Sequence, residues 1–428
     1  MEEINKKYTD DQFVKTRSWK EFVNSLEKPR KIIMMIKAGR PVDETIHHLQ
    51  PFLDEGDILI DGGNSYFKDT NRRFKELANN HIHFIGMDVS GGELGALNGP
   101  SLMFGGDKET YQVLAPVLEK IAAKTKDQVP CVGYVGPQGA GHYVKMVHNG
   151  IEYGIMQIIC ETYDFIRKFL GWSNKQMADL FEIWNRGELQ GYLIAITSDV
   201  LRKKDELTRK DVVDVVLNKA SYKGTGNWML EDAIKLGAPI SVIAEAVFAR
   251  FLSDAVLNDE VYANGNGKAE LFSGSISMIE NAIYLAQTVS FDQEFQQLRF
   301  ASDEYNWQLD LASVAQVWEA GCIIRSRSLG DIRIAFLNMP SLDNLFLAPF
   351  FKKLRKSKLK DLRQFVQIAE RNRIPTPSMS AALNYLDSIF NSSLPANLLQ
   401  AQRDYFGAHT FRRNDRSGTF HEQWYEEA

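Results

Sequence analysis

The sequence predicts an α/β domain on a parallel sheet, then a large all-α domain, then an extended C-terminal tail. Three observations predict this order. Short apolar runs alternate with helical patterns over the first third of the chain. From about Gly139 helix follows helix. From about Pro395 the chain turns polar and aromatic, with little helical period after Phe406. The boundaries read as 1–138, 139–396 and 397–428. A chain of 428 residues has ample length for two or three domains.

In the first domain, "KIIMMIK" (31–37), "DILID" (57–61) and "HFIGM" (83–87) read as evenly spaced strands. Helical patterns lie near 42–53, 66–78 and 108–123. Strands alternating with helices at this spacing imply a parallel sheet covered on both faces. Ligands bind such sheets beyond the carboxyl ends of the strands. Glycine-rich turns stand there: "KAGR" after the first strand, "DGGN" (61–64) after the second, and "SGGELGALNGPSLMFGG" (90–106) after the third. Any one of them is ordinary turn chemistry. Three in succession favour a site, because glycine lets backbone amides approach an anion or a ring closely.

In the helical part, "IWNRGELQGYLI" (183–194) echoes "VWEAGCIIRSRSL" (317–329) in its Trp-x-x-Gly. "NGIEYG" (149–154) echoes "ENAIYLA" (280–286). The match is weak evidence for a duplicated helical unit. The tail carries Tyr405, Phe406, Phe411, Phe420, Trp424 and Tyr425, which is unusual for a free end and suggests that it docks on another subunit.

Composition narrows the function. Apolar residues make up 44% and charged residues 25%, as in ordinary soluble globular proteins. A net charge of −5 offers no basic field to nucleic acid. The start, "MEEINKKYTDDQ", has no apolar region of the signal-peptide kind, and "IIMMI" is far too short to span a bilayer. Three cysteines, Cys131, Cys160 and Cys322, show no C-x-x-C, which argues against zinc or a disulfide framework and fits a reducing cytosol. The eight histidines show no ligand spacing, so no metal is expected; adjacent His47 and His48 point to different faces of a helix.

The stretch "GHYVKMVHNGIEYG" (141–154) carries the chemistry. Lys145, His148, Asn149 and Glu152 fall on one stripe of a helix whose neighbouring faces are apolar. A helix apolar on two sides is buried, and a buried ionisable stripe is costly unless its members pair or face a polar ligand. The plainer reading is one wet face carrying a Lys–Glu surface pair.

Together, "KAG", "DGGN", "SGGELGALNGPSLMFGG", "GAGHYVKMVHNGIEYG", "KGTG", "VFAR" and "QAQRDYFGAHTF" resemble the 6-phosphogluconate dehydrogenase family over nearly the whole chain. The resemblance implies a Rossmann-like domain, a helical domain, and a cytoplasmic homodimer whose tail reaches into the partner. It implies oxidation and decarboxylation of 6-phosphogluconate to ribulose 5-phosphate with NADP as cofactor, in the pentose phosphate pathway. It makes Lys145 the general base at the C3 hydroxyl, working as a neutral amine, and then, as ammonium, the donor to the carbonyl. Glu152 becomes the acid that protonates C1 of the enediol. Asn149 and His148 hold substrate hydroxyls and Tyr153 reaches the phosphate. Ser90, Gly91 and Gly92 take the carboxylate. Asn64 touches substrate and cofactor, and Ile36, Lys37 and Ala38 are further cofactor contacts. Lys223 and Arg250 supply cations for the phosphate, with Arg403 and His409 from the neighbouring tail. Arg250 sits inside the apolar run "SVIAEAVFAR", which weakens the alternative of a solvated surface cation.

The resemblance also leads to an expected gap. The family opens with a strand, a glycine turn for the cofactor diphosphate, a helix, and a second strand ending in Asn-Arg for the 2′-phosphate. No G-x-G-x-x-G occurs in this sequence. The chain is therefore expected to enter the pattern roughly 40 residues late, about one βαβ unit, lacking that first strand–turn–helix–strand. "KIIMMIK" would then be the fourth strand of the order 3-2-1-4-5-6, with an open apolar edge. Asn227 in "KGTGNW" stands where a lysine is expected in many relatives. Two readings follow: the dehydrogenase, or a cofactor-free homologue that binds sugar phosphates as a binding or regulatory module.

Overall fold

A computed structural model of the chain describes residues 14–221, 224–256 and 274–425. The chain divides into two compact units, Met1–Ala382 and Leu383–Ala428. Among the described residues no helix is long and apolar enough to cross a membrane.

Among the described residues the first unit runs from α1 (Trp19–Asn24) through β1 (Lys31–Met34), α2 (Arg40–Leu49), β2 (Ile58–Asp61) and α3 (Phe67–Ala78) to β3 (His83–Ser90). There follow α4 (Gly92–Asn98), β4 (Ser101–Gly105), α5 (Lys108–Ile121) and β5 (Val132–Gly136). Among the described residues the strands lie in the order β1-β2-β3-β4-β5, with β1 bonded to β2. Its exposed face carries Ile33, next to the exposed Met35. On the other side, Ile32 and Met34 pack with Val23 of α1 and Val42 and Ile46 of α2.

The expected parallel sheet holds for β1, β2 and β3 only. β4 runs antiparallel to β3, and β5 parallel to β4. The reason is the length of the connection. A parallel crossover needs about a dozen residues or more, and residues 91–100 are too few. The stretch 90–106 is therefore not one glycine loop: it holds the short helix α4 and all of β4.

Helices then follow one another. The long α6 (Ala140–Phe165) leads to α7 (Asn174–Trp184), α8 (Tyr192–Arg202), α9 (Thr225–Leu236) and α10 (Ser241–Asp254). A second long helix, α11 (Ile276–Tyr305), precedes α12 (Leu311–Val317), α13 (Arg327–Asn338) and α14 (Pro349–Arg371). The two Trp-x-x-Gly echoes meet in space. Trp184 and Trp318 are both buried at helix ends, and the segments after them join by a bridge between Gly191 and Ser326.

α6 crosses the sheet at very close range. A Cβ on Gly141 would collide with the carbonyls of Gly86 and Met103, so only glycine permits this crossing. At the next residue, a Cβ on Gly86 would stand 2.8 Å from His142 Nδ1. That nitrogen bonds Thr70 Oγ1 at 2.7 Å, and burial pushes the imidazole below its usual range. Farther out, Asp232 of α9 accepts from Tyr143 (2.8 Å) and Tyr305 (2.7 Å), tying α6 to α9 and α11.

The second unit contains α15 (Ala396–Gly407) and the chain after it. The segment expected to be simply extended is folded back on that helix. Phe411 and Phe420 exchange two backbone bonds of 2.8 Å. Asp404 of α15 gathers donors from Thr410, His421, Glu422 and Trp424.

Candidate active site

A cavity of about 920 Å³ opens where the loops beyond β1 and β2 meet α6, α9 and α10. Lys37, Ala38 and Gly39 follow β1, and Asn64, Tyr66 and Asp69 follow β2. Lys145, Asn149, Glu152, Tyr153 and Met156 come from α6. Ser221, Thr225, Trp228 and Arg250 complete the wall. The strand-end loops thus lie where an α/β sheet places its ligand.

The polar stripe of α6 is split by its surroundings. Lys145 is only 6% exposed. Its Nζ donates to Asn149 Oδ1 at 2.5 Å and approaches His148 Nδ1 at 3.3 Å. His148 is fully buried behind the cavity wall, with Nε2 3.2 Å from Ser90 Oγ. Burial pushes His148 well below the usual histidine range; the Lys145 charge adds to this and the bond to Asn149 opposes it. The ring is therefore neutral. Nδ1 stands 3.3 Å from both Lys145 Nζ and Asn149 Oδ1, and Nε2 faces the Ser90 hydroxyl, so the ring links the lysine to the serine.

Tyr153 and Arg250 form a second group. The Arg250 guanidinium lies 3.5 Å from the centre of the Tyr153 ring, and Nη1 donates to the Ser221 carbonyl at 3.3 Å. A planar cation stacked on a ring keeps further N–H groups available for phosphate oxygens.

Not all expected residues meet here. Ile36 packs against the apolar cluster around β1 instead of lining the cavity. Gly91 lies against the Gly321 carbonyl, with φ 124°, so a side chain is excluded there; Gly92 opens α4 with free space beside it. Lys223 lies outside the described residues. Arg403 and His409 belong to the second unit, and both are exposed. Arg403 Nη1 bonds Gln400 Oε1 at 3.2 Å, and the His409 ring stands 5.8 Å from that of Phe406.

Among the wall residues that escaped the sequence reading are two aromatic ones. Tyr66 and Trp228 stack at 4.8 Å with an interplanar angle of 30°. Each directly follows motif residues, in "DGGNSY" and "KGTGNW", and that adjacency was the available signal.

The cofactor side was tested on the loop after β1. Gly39, at φ 86°, caps α2 without a side-chain bond, and nothing lies within 4 Å of a Cβ placed there. Backbone can approach a dinucleotide closely at such a turn. Lys37, Ala38, Gly39 and Asn64 on the cavity rim fit that use.

Residues 2–136 match the family model for the NAD binding domain of 6-phosphogluconate dehydrogenase. Residues 141–424 match the model for the 6-phosphogluconate dehydrogenase C-terminal domain. The decarboxylating 6-phosphogluconate dehydrogenase of Lactococcus lactis subsp. lactis (strain IL1403) is 50% identical over 100% of this chain and 92% of its own length. The NADP(+)-dependent, decarboxylating 6-phosphogluconate dehydrogenase of Bacillus subtilis (strain 168) is also 50% identical, over 96% of this chain and 89% of its own. Among solved structures, the 6-phosphogluconate dehydrogenase of Plasmodium falciparum superposes with a TM-score of 0.94 at 40% identity, covering 99% of this chain and 92% of that one. That protein is known in apo form and in complexes with NADP+ and with 6-phosphogluconate. The match from residue 2 corrects one expectation: the dinucleotide-binding domain is represented from the beginning of the sequence, and the inferred loss of its first elements is not supported.

Proposed function

The chain belongs to the 6-phosphogluconate dehydrogenase family, and from that premise we propose which of its residues carry the reaction. The reaction is the oxidative decarboxylation of 6-phosphogluconate to ribulose 5-phosphate with reduction of NADP. The observation that supports the residue assignment is the single cavity joining Lys145, Asn149, Glu152, Tyr153 and Arg250 with Lys37, Ala38 and Asn64.

Lys37, Ala38, Gly39 and Asn64 would hold NADP at the strand-end loops, where it would supply the acceptor for the hydride from C3. Lys145 Nζ, as the amine, takes the proton of the C3 hydroxyl. As ammonium it then donates to the carbonyl oxygen of the 3-keto acid while the C1 carboxylate leaves as carbon dioxide. Glu152 protonates the carbon from which the carboxylate left, C2 of the substrate and C1 of the product. Asn149 orients the hydroxyls; His148, expected to do the same, acts from behind the wall through Ser90, which with the Gly91 and Gly92 amides holds the carboxylate. Tyr153, Arg250 and Lys223 bind the phosphate. Three parts divide this work: 1–138 for the cofactor, 139–396 for substrate and dimerisation, and 397–428 as a tail that brings Arg403 and His409 to the partner's phosphate site in a homodimer.

Lys145→Met and Glu152→Gln test the assignment. Lys145→Met should abolish both oxidation and decarboxylation. Glu152→Gln should leave substrate binding nearly intact and slow turnover by about 100-fold or more. Near-normal turnover in either variant removes that residue from the mechanism.

A further inference from the structure

A second cavity, of about 560 Å³, shares no residue with the one described above. It lies where the turn joining α5 to β5 meets the bridge between Gly191 and Ser326. Five cations and two carboxyls line it. Lys124 and Lys126 stand on the turn, which is closed by bonds from the Thr125 amide to the Val129 carbonyl (2.9 Å) and from the Val129 amide to Thr125 Oγ1 (3.2 Å). Arg325 and Arg327 flank the bridge, and Arg333 follows on α13. Of the carboxyls, Glu319 is paired with Arg333 at 2.6 Å. That leaves Asp127 against four cations, none of which has an ion-pair partner among the described residues. Gathering like charges around one space costs free energy, which a bound anion offsets.

The way Arg325 is held points to oxyanions. Its guanidinium lies 3.7 Å from the centre of the Tyr192 ring, and Nη1 donates to the Cys322 carbonyl. Arg250 is held in the same manner in the first cavity, on the Tyr153 ring and by the Ser221 carbonyl. In both places a ring and a carbonyl fix the plane of the cation and leave its other N–H groups available. The neighbouring Ser326 hydroxyl is buried and has no partner among the described residues. The first turns of α8 and α13, which begin at the bridge, carry no acid that would oppose an anion.

We propose that this second cavity binds a polyphosphate chain, at a site separate from the active site. The lysines on the turn and the arginines at the bridge come from different parts of the chain, so a run of phosphates serves both better than a single one does. The volume falls within the range of about 300–1,000 Å³ usual for small-molecule sites. Tyr192 is the one aromatic residue of the lining, and Arg325 covers it, so the wall offers little to an apolar ligand body. Two sources carry this chemistry: free inorganic polyphosphate and the phosphates of a nucleoside triphosphate.

The test is calorimetric titration of the whole enzyme saturated with 6-phosphogluconate and NADPH. That pair cannot react, since the reduced cofactor takes no hydride, and it keeps the first cavity full. Inorganic tripolyphosphate should bind once per subunit, less tightly as salt is added. Arg325→Ala should weaken that binding by about 10-fold or more, the loss of a charged hydrogen bond. Arg327→Ala, at an exposed position, should also weaken it and serves if Arg325→Ala fails to fold. ATP that binds more tightly than tripolyphosphate identifies the nucleotide as the source, and ATP that binds less tightly identifies the free chain. No binding of either to the saturated enzyme, or binding that both variants leave unchanged, overturns the proposal.

Discussion

Two buried carboxyls, in different regions of the molecule, behave in opposite ways. Asp404 on α15 has no exposed surface, yet hydrogen bonds hold it ionised. Burial works against the charge there. The donors outweigh it: the Thr410 amide and His421 Nδ1 at 2.9 Å, the Glu422 amide at 3.0 Å and the Trp424 indole at 2.9 Å. The carboxyl is held well below its usual range. Asp88 on β3 is equally hidden, but one oxygen has no donor, and burial pushes the group up. Burial alone therefore does not set a charge state; the number of donors aimed at the group does. At Asp404 the charge is fixed and ties a chain segment down. At Asp88 burial prevails and pushes the carboxyl toward its neutral form.

The sharpest way to relate the two regions is to inactivate each separately and mix them. Lys145→Met removes the base from one subunit's cavity, and Arg403→Ala removes a tail cation. If the tail serves the partner's site, each mixed dimer assembles one intact site from two damaged subunits. Random mixing should then recover about a quarter of wild-type activity, since half the dimers are mixed and each has one good site of two. NADPH formation by the mixture is the readout, and purified heterodimers should show about half of wild-type activity. Heterodimers without recovery would place Arg403 in its own subunit's chemistry, or in none.

Arg250 should produce a smaller and more selective change. Its stacked guanidinium is assigned to binding a phosphate that does not react. Arg250→Ala should raise KM by about 10- to 100-fold, the loss of one charged hydrogen bond of about 1.5–3 kcal/mol, with kcat nearly kept. A fall in kcat as large as the fall in kcat/KM would mean that Arg250 acts on the transition state instead.

These regions were not equally legible in the sequence. The stripe of Lys145, Asn149 and Glu152 could be read because helical spacing alone puts charged groups together on an otherwise apolar helix. That His148 turns behind the wall to Ser90 could not, since it depends on how close α6 comes to β3. β4 was missed because it lies in a stretch rich in glycine, 90–106, that reads as one loop although it holds a helix and a strand. Asp88 looks like any polar residue at a strand end until the helix above it is known. Asp404 was hidden for a different reason. Its partners lie 6, 17, 18 and 20 residues later, and no periodicity marks them.

The gentlest perturbation concerns that last carboxyl. Because the folded Asp404 is held below its usual range, its contribution to the order of the tail is present above the ordinary carboxylate value of about 3.9. It is lost as the pH falls from there toward the folded value. Acidifying the wild-type protein from pH 6 to below pH 4 should therefore speed hydrogen exchange at the Thr410 and Glu422 amides, which bond to Asp404 directly. Asp404→Asn should show the faster exchange already at pH 6, after correction for the intrinsic effect of pH, with little further change on acidification. The amide keeps an acceptor oxygen, so some protection should persist, while the charge-assisted part of each bond is gone. Exchange over α6 should not change, because its residues are secured by other partners. If Asp404→Asn keeps the wild-type protection and the wild-type acid response, the folded-back tail is held by Phe411, Phe420 and their backbone pair instead of by the buried charge.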